Sequence, residues 1–367
     1  MNVKISIHNR NIEPRLKSIQ NWNIHQEDKT DLLKFINELE LGKVNKGKKI
    51  GEARRLKYLS ILKIPLEFWN KQTSKLNDKD IENFEKAISK LKSASSKKPF
   101  SANTKSDIKK ALKIYFKWKG LDTKLYDWLD TSTPNTTPDY LTEQEVEKLY
   151  RSCKNAEERF LICVLFDSGA RAEEFHNIRF EDIQTPKDNE NFVKLTLKEE
   201  YSKSKGRVIS LYWEHTLNAV RDYLKEREEE GIKNNEAVFK NTYDNSRQIL
   251  YRLGQKILSK RVYYHLFRHS SATYYASKFN RQQLCYRYGW AFSSRMPDIY
   301  ISRAGMENKD LDEKFEGTKL EDLKRQLERE KEKNIIKDER FKDFEIEFRA
   351  FAEEMKTTKK LILAKRK

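Results

Sequence analysis

The chain has 367 residues, 37% hydrophobic and 36% charged, with a net charge of +18 and a pI of about 9.4. That length points to two or three domains with real cores under a charged surface, and the cationic excess favours a polyanionic partner, because each Lys or Arg that meets a phosphate releases a counterion. Three dispersed cysteines, Cys153, Cys163 and Cys285, argue against a disulfide framework or zinc ribbon and fit a reducing cytoplasm. No stretch approaches the roughly 20 apolar residues that span a bilayer. The N-terminus, "MNVKISIHNRNIEPRLK", lacks the apolar region of a signal peptide.

After a tail over 1–14, residues 15–125 read as a helical domain. "DLLKFINELEL" (31–41), "RRLKYLSILKIPLEFW" (54–69), "KDIENFEKAISKL" (79–91) and "TKSDIKKALKIYFKWKG" (104–120) carry apolar residues three and four apart. The connections 41–55 and 93–105 are basic. Their expected phosphate contacts are Asn45, Lys48, Lys49, Arg54, Arg55, Lys97, Lys98 and Lys105. Such a bundle fits a DNA clamp, although a solvated surface around an ordinary bundle would look the same from this segment alone.

A linker over 126–140 centres on "DTSTPNTTPD". The second domain, 141–305, opens with Thr142 and Glu145 in capping-box spacing, which starts a helix. "RFLICVLFDSG" (159–169) reads as a buried helix ending at Gly169. "NFVKLTLKEEYSKSKGRVISLYW" (191–213) reads as two strands joined by a basic turn. Helices follow over 215–231, 246–258, 265–279 and 281–289, with a short strand expected at "AVFK" (237–240). The expected fold is mainly α with a small antiparallel β-sheet. The tail, 306–367, is nearly all charge with a heptad: Leu320, Leu323 and Leu327, then Phe341, Phe344, Phe348, Phe351 and Met355. It suits a coiled coil for oligomerisation, or a helix packed on its own catalytic domain.

Four islands in the second domain hold polar residues that a plain core does not need. In "DSGARAEEFHNIRFEDI", Arg171 follows a buried helix, where a guanidinium must meet an anion, and Glu174 stands one helical turn on. As an isolated feature the two make an ordinary surface pair. In "SKSKGR", Lys203, Lys205 and Arg207 surround a hairpin tip, where a lysine is ordinarily just solvated. In "HLFRHSSATYY", His265 and Arg268 share a helical face, with His269 one residue further round. No carboxylate or cysteine lies at ligand spacing, so metal binding is the poorer reading. In "YGWAFSSRMPDIYISR", Trp290 follows Gly289, and Pro297 starts a short helix carrying Tyr300. Alone, Tyr300 would be a packing residue. Together, two arginines, a lysine, a histidine and an indole N–H surround an oxygen nucleophile without an acidic cluster for Mg²⁺. That describes metal-free phosphoryl transfer, with guanidiniums neutralising the transition state in place of a metal.

The ordered set Arg, Lys, His-x-x-Arg, Trp and Tyr resembles the tyrosine recombinase (phage integrase) family. "VLFDSGARAEEFHNIRFEDI" (164–183), "HLFRHSSAT" and "YGWAFSSRMPDIY" are similar to its three boxes, and "KIYFKWKG" and "SSRMPDIYIS" look most like archaeal integrases. The resemblance covers 140–305 and, more loosely, 15–120 as a core-binding domain. It implies that Tyr300 attacks the scissile phosphate to give a 3′-phosphotyrosyl link and a free 5′-hydroxyl. Arg171 and Arg268 would hold the phosphate, Lys203, preferred over Lys205, would protonate the leaving oxygen, and His265 would help accept the tyrosine proton. Trp290 would stand where many members have a second histidine, with Glu174 and His269 supporting. No cofactor is implied. The partners implied are double-stranded DNA and a homotetramer that exchanges strands through a Holliday junction. The implied setting is the nucleoid, in the service of a mobile element. A type IB topoisomerase, a chromosome dimer resolvase, an inactive DNA-binding protein and a coiled-coil structural protein are the rival readings.

Overall fold

The computed structural model describes residues 4–8, 11–93, 96–134, 138–186, 191–203 and 205–305, with residues 327 and 331 beyond them. Among these, two compact units form. One comprises 1–139 with 175–177 and 237–246. The other comprises 140–174, 178–236 and 247–305.

The first unit holds α1 (Glu13–Ser18), α2 (Gln26–Leu41), α3 (Glu52–Trp69), α4 (Asp78–Ile88) and α5 (Ala102–Lys119). Helix α3 packs against α2, α4 and α5. The buried face is aromatic: Phe35 meets Tyr115 and Trp118 edge-on at 5.2 and 5.3 Å, and Trp69 stacks on Phe116. A polar tie crosses it. Buried Asp28 accepts from the Thr73 amide at 3.0 Å and from Lys119 Nζ at 2.9 Å. The ion pair is tolerated in the interior because its lone pairs are satisfied.

The second unit is built around α7 (Ala156–Ser168), capped by Asn155 and almost wholly buried. It packs against α6 (Glu143–Arg151), α9 (Thr216–Glu229), α11 (Tyr264–Ala276) and strand β3 (Arg207–Leu211). Thr142 and Glu145 do form the capping box of α6. The sheet has the order β1 (Ile183–Gln184), β2 (Val193–Leu197), β3 (Arg207–Leu211), antiparallel throughout. Leu195 faces Ile209 and Leu197 faces Arg207, so one face of the pleat is buried. Strand β1 is too short for sequence periodicity to disclose. The strand expected at 237–240 does not form: only Ala237 makes a single bridge. The remaining helices are α8 (Ala172–His176), α10 (Tyr243–Leu258), α12 (Arg281–Tyr288) and α13 (Met296–Arg303). In the tail, Leu327 is helical and exposed, and the other heptad positions lie outside the described residues.

Candidate active site

Helix α7 stops at Gly169, which adopts φ +57°, the left-handed conformation that costs a glycine least. A Cβ there would lie 2.5 Å from Tyr288 Cε1. The reversal brings Arg171 to the start of α8. Its amide donates to Glu174 Oε2 at 2.9 Å and its Nη1 to Oε1 at 2.8 Å. Ser202 Oγ donates to the same carboxylate at 2.5 Å, and Arg207 grips it with Nη1 at 3.3 Å and Nη2 at 3.1 Å. Glu174 is fully buried. Burial pushes its pKa up, but Arg207 and these hydrogen bonds prevail and lower it to about 2. A carboxylate ionised at neutral pH therefore orients two guanidiniums.

Helix α11 carries the next group on one buried face. Arg268 donates from Nη1 to the Gly169 carbonyl at 2.8 Å and from Nη2 to the Tyr288 carbonyl at 2.5 Å. No further hydrogen bond of its guanidinium is found among the described residues. Burial, reinforced by Arg171, lowers its pKa to about 9, so it stays charged at neutral pH. Its guanidinium lies over the rings of Tyr288 and Trp290. His265 keeps an exposed edge. Desolvation of its inward side, then Arg268, Arg171 and Lys203, lowers its pKa.

Gly289 caps α12 in the left-handed conformation and releases Trp290. Arg281 fastens the following loop, donating to the Phe292 and Ser294 carbonyls at 2.8 and 2.7 Å and to Asp298 at 2.8 Å. Helix α13 then starts with Pro297 in its first turn. Tyr300 is 1% exposed and stacks on Trp290 at 5.4 Å with the planes 4° apart. Its hydroxyl is 2.6 Å from His269 Nδ1. Burial, then His265, Arg303 and Arg268, lowers the His269 pKa to about 4. His269 is thus neutral at pH 7 and able to accept a proton. Burial raises the Tyr300 pKa, with Arg268 and Arg303 pulling it the other way.

A neutral imidazole and an indole ring thus lie against one tyrosine, with the Arg268 cation near enough for its charge to act on it. The family model described as "Phage integrase family" matches residues 139–305, the stretch that holds all of them. That stretch resembles a phage integrase family domain. Tyrosine recombinase XerA of Pyrococcus horikoshii is 31% identical over 134 residues, 36% of this chain and 44% of its own length. The protein of the same name from Pyrococcus furiosus is 30% identical over 188 residues, 48% of this chain and 62% of its own. The chain thus spans about half the length of the curated relatives it matches. Among solved structures, the post-cleavage complex of XerH site-specific recombinase with a palindromic difH substrate shares the fold, with a TM-score of 0.55 and 18% identity. That alignment covers 82% of this chain and 94% of the other.

Within residues 139–305, Arg171, Glu174, Arg268, His269, Trp290 and Tyr300 come together, with His265 against His269 at 4.6 Å between rings. Lys203 lies exposed in the β2–β3 connection, near enough for its charge to act on His265. Lys205 is exposed on the same connection. Arg207 differs from its expected role as a DNA contact: it is buried against Glu174 and the Arg287 carbonyl. Its alternation with Ile209 and Leu211 is the sequence signal that it faces inward. The hydrogen-bond partner of Tyr300 is His269, which sequence reasoning placed only in support. A buried network went unread as well. Asp167 accepts from Arg287 Nη2 at 2.9 Å, from the Trp213 amide at 2.7 Å and from the Tyr275 hydroxyl. It braces α7 against α11, α12 and the end of β3.

In the first unit, Asn45, Lys48, Lys49, Arg54, Lys97 and Lys98 are exposed and Lys105 is half-buried. Arg55 is another correction. It is buried and held by Glu40 through two bonds of 2.7 and 2.9 Å, so it is a structural ion pair. A groove of about 500 Å³ runs between α3 and α5, lined among others by Arg54, Lys57, Tyr58 and Lys110.

Proposed function

We propose that the chain is a tyrosine site-specific DNA recombinase that cleaves and rejoins double-stranded DNA through a 3′-phosphotyrosyl intermediate, serving integration of a mobile element. One observation carries this reading: the Tyr300 hydroxyl sits 2.6 Å from the neutral His269 Nδ1 beside the buried cation Arg268. Tyr300 Oη attacks phosphorus and passes its proton to His269 Nδ1. The P–O5′ bond breaks, and Lys203 from the β2–β3 connection protonates the departing oxygen. Arg171 and Arg268, both pre-oriented, neutralise the non-bridging oxygens as charge builds. His265 and the Trp290 indole N–H supply further donors. The phosphotyrosyl bond conserves the energy of the phosphodiester, so a second DNA hydroxyl can reseal it without ATP. A water-using nuclease would lose that energy.

The exposed cations of the first unit, with Arg54, Lys57 and Lys110 lining the groove, supply backbone contacts to the duplex. Two protomers per site and two sites together would give the tetramer that passes through a Holliday junction, and the working location is on DNA.

The test is a covalent trap. The protein and Tyr300→Phe are incubated with supercoiled plasmid carrying the element's flanking DNA, with EDTA present, and quenched in SDS. A protein–DNA adduct that survives EDTA and is absent in Tyr300→Phe is expected, together with recombinant product. Relaxation without recombinants would assign the same chemistry to a topoisomerase. An adduct that persists in Tyr300→Phe would refute the assignment of the nucleophile.

A further inference from the structure

Arg303 lies one turn beyond Tyr300 on α13. Its Nη1 donates to Thr273 Oγ1 on α11 at 3.3 Å. Its guanidinium carbon lies 5.6 Å from the Tyr300 ring centroid and 5.0 Å from that of Tyr140. Nε and Nη2 are both buried and have no hydrogen-bond partner among the described residues, and no ion pair of Arg303 with a carboxylate is found among them. Two buried guanidiniums of this unit are compensated: Arg207 by Glu174 and Arg287 by Asp167. Arg303 is half-buried, but its two buried, unpartnered nitrogens are costly and call for a use.

We propose that Arg303 is a positioning residue for Tyr300: its guanidinium pins the nucleophile helix to α11 and keeps a spare positive charge against the phenol ring. Among the described residues, the groups that face Tyr300 are few. Helix α11 supplies His269 and Arg268, with His265 behind His269. The loop after α12 supplies the uncharged Trp290, and α13 itself supplies Arg303. Around Arg303 stand Thr273 of α11 and Tyr140 at the start of the unit. None of these is an anion. When Tyr300 gives up its proton, the phenolate is the first negative charge that Arg303 meets among the described residues, and burial of the Tyr300 ring strengthens the pair. The same cation disfavours protonation of His269 and so keeps its Nδ1 ready to accept. The inference rests on Tyr300 being the nucleophile.

The experiment places 3-fluorotyrosine at position 300 of the full chain and follows its ¹⁹F resonance as pH rises. Arg303→Gln should move phenol ionisation upward by about one pH unit, a roughly tenfold change in the ionisation constant. Arg303→Lys should restore most of it, and Thr273→Val, which removes the pin and keeps the charge, should leave it in place. Superimposable curves for Arg303→Gln and the parent would overturn the proposal. So would a Thr273→Val curve displaced as far as that of Arg303→Gln. In parallel, the pH profile of covalent adduct formation should shift to the alkaline side in Arg303→Gln, whereas a purely structural defect would lower the rate equally at every pH. Absence of any adduct in the parent protein would sink the recombinase reading while leaving the phenol titration to stand by itself. A normal adduct with an unshifted Arg303→Gln profile would sink this inference alone.

Discussion

Glu174→Gln isolates the charge that orients both Arg171 and Arg207 while keeping the side chain's shape. The fall in the Glu174 pKa from 4.5 to about 2, at about 1.4 kcal/mol per pH unit, corresponds to about 3 kcal/mol of stability. Breaking a buried ion pair from one side costs a similar amount, about 3–5 kcal/mol, because two guanidiniums lose their counter-charge. The variant should therefore be about 3–4 kcal/mol less stable at pH 7 in urea unfolding of the full chain. The folded pKa is depressed, so this contribution is complete above the unfolded value and vanishes as pH falls through the folded one. The gap between the two proteins should accordingly be constant above about pH 5, begin to close below about 4.5, and be nearly gone near pH 2. A variant within about 1 kcal/mol of the parent at pH 7, or a gap that ignores pH, would refute the role assigned to this carboxylate.

Gly169→Ala combines a left-handed backbone, costing about 1–2 kcal/mol, with a Cβ pressed against the Tyr288 ring. With overpacking included, the total is about 3 kcal/mol, and scanning calorimetry should show the transition of the second unit about 6–12 °C lower, at roughly 2–4 °C per kcal/mol. His269→Ala should reduce single-turnover adduct formation about 10²–10⁴-fold with DNA binding intact. In the parent, His269 gains its proton only as pH falls toward about 4, so the acid limb of the rate should lie near there and not near the ordinary histidine value. Lys48→Ala with Lys49→Ala should reduce the slope of log binding constant against log salt by about 0.9 for each phosphate no longer neutralised. Arg55→Gln should leave that slope unchanged and lower stability instead.

What the sequence disclosed follows from how local each signal is. The Thr142–Glu145 box, the stop at Gly169 and the Arg171–Glu174 pair are interactions within one turn, and residue spacing reveals them. Arg207 reaches Glu174 across 33 positions and Arg287 reaches Asp167 across 120, separations that no periodicity spans. Between His265 and His269 the decision rests on packing: both sit on α11, and the placement of α13 alone determines which imidazole meets the Tyr300 hydroxyl. The basic connections were legible as charge, but burial of Arg55 depends on Glu40 of the preceding helix, a partner that composition does not point out.

Arg268 donates to two backbone carbonyls, one just after α7 and one at the end of α12. The cation expected to grip the substrate is therefore also a staple between two helix ends. Its loss would remove the protein as well as its chemistry, so an Arg268 allele would behave genetically as a deletion. Among the described residues the Tyr300 side chain makes its one hydrogen bond through the hydroxyl, and Tyr300→Phe would separate function from folding. Copies of this gene decaying without selection for recombination should accordingly lose the tyrosine first and keep the arginine for as long as the protein still folds.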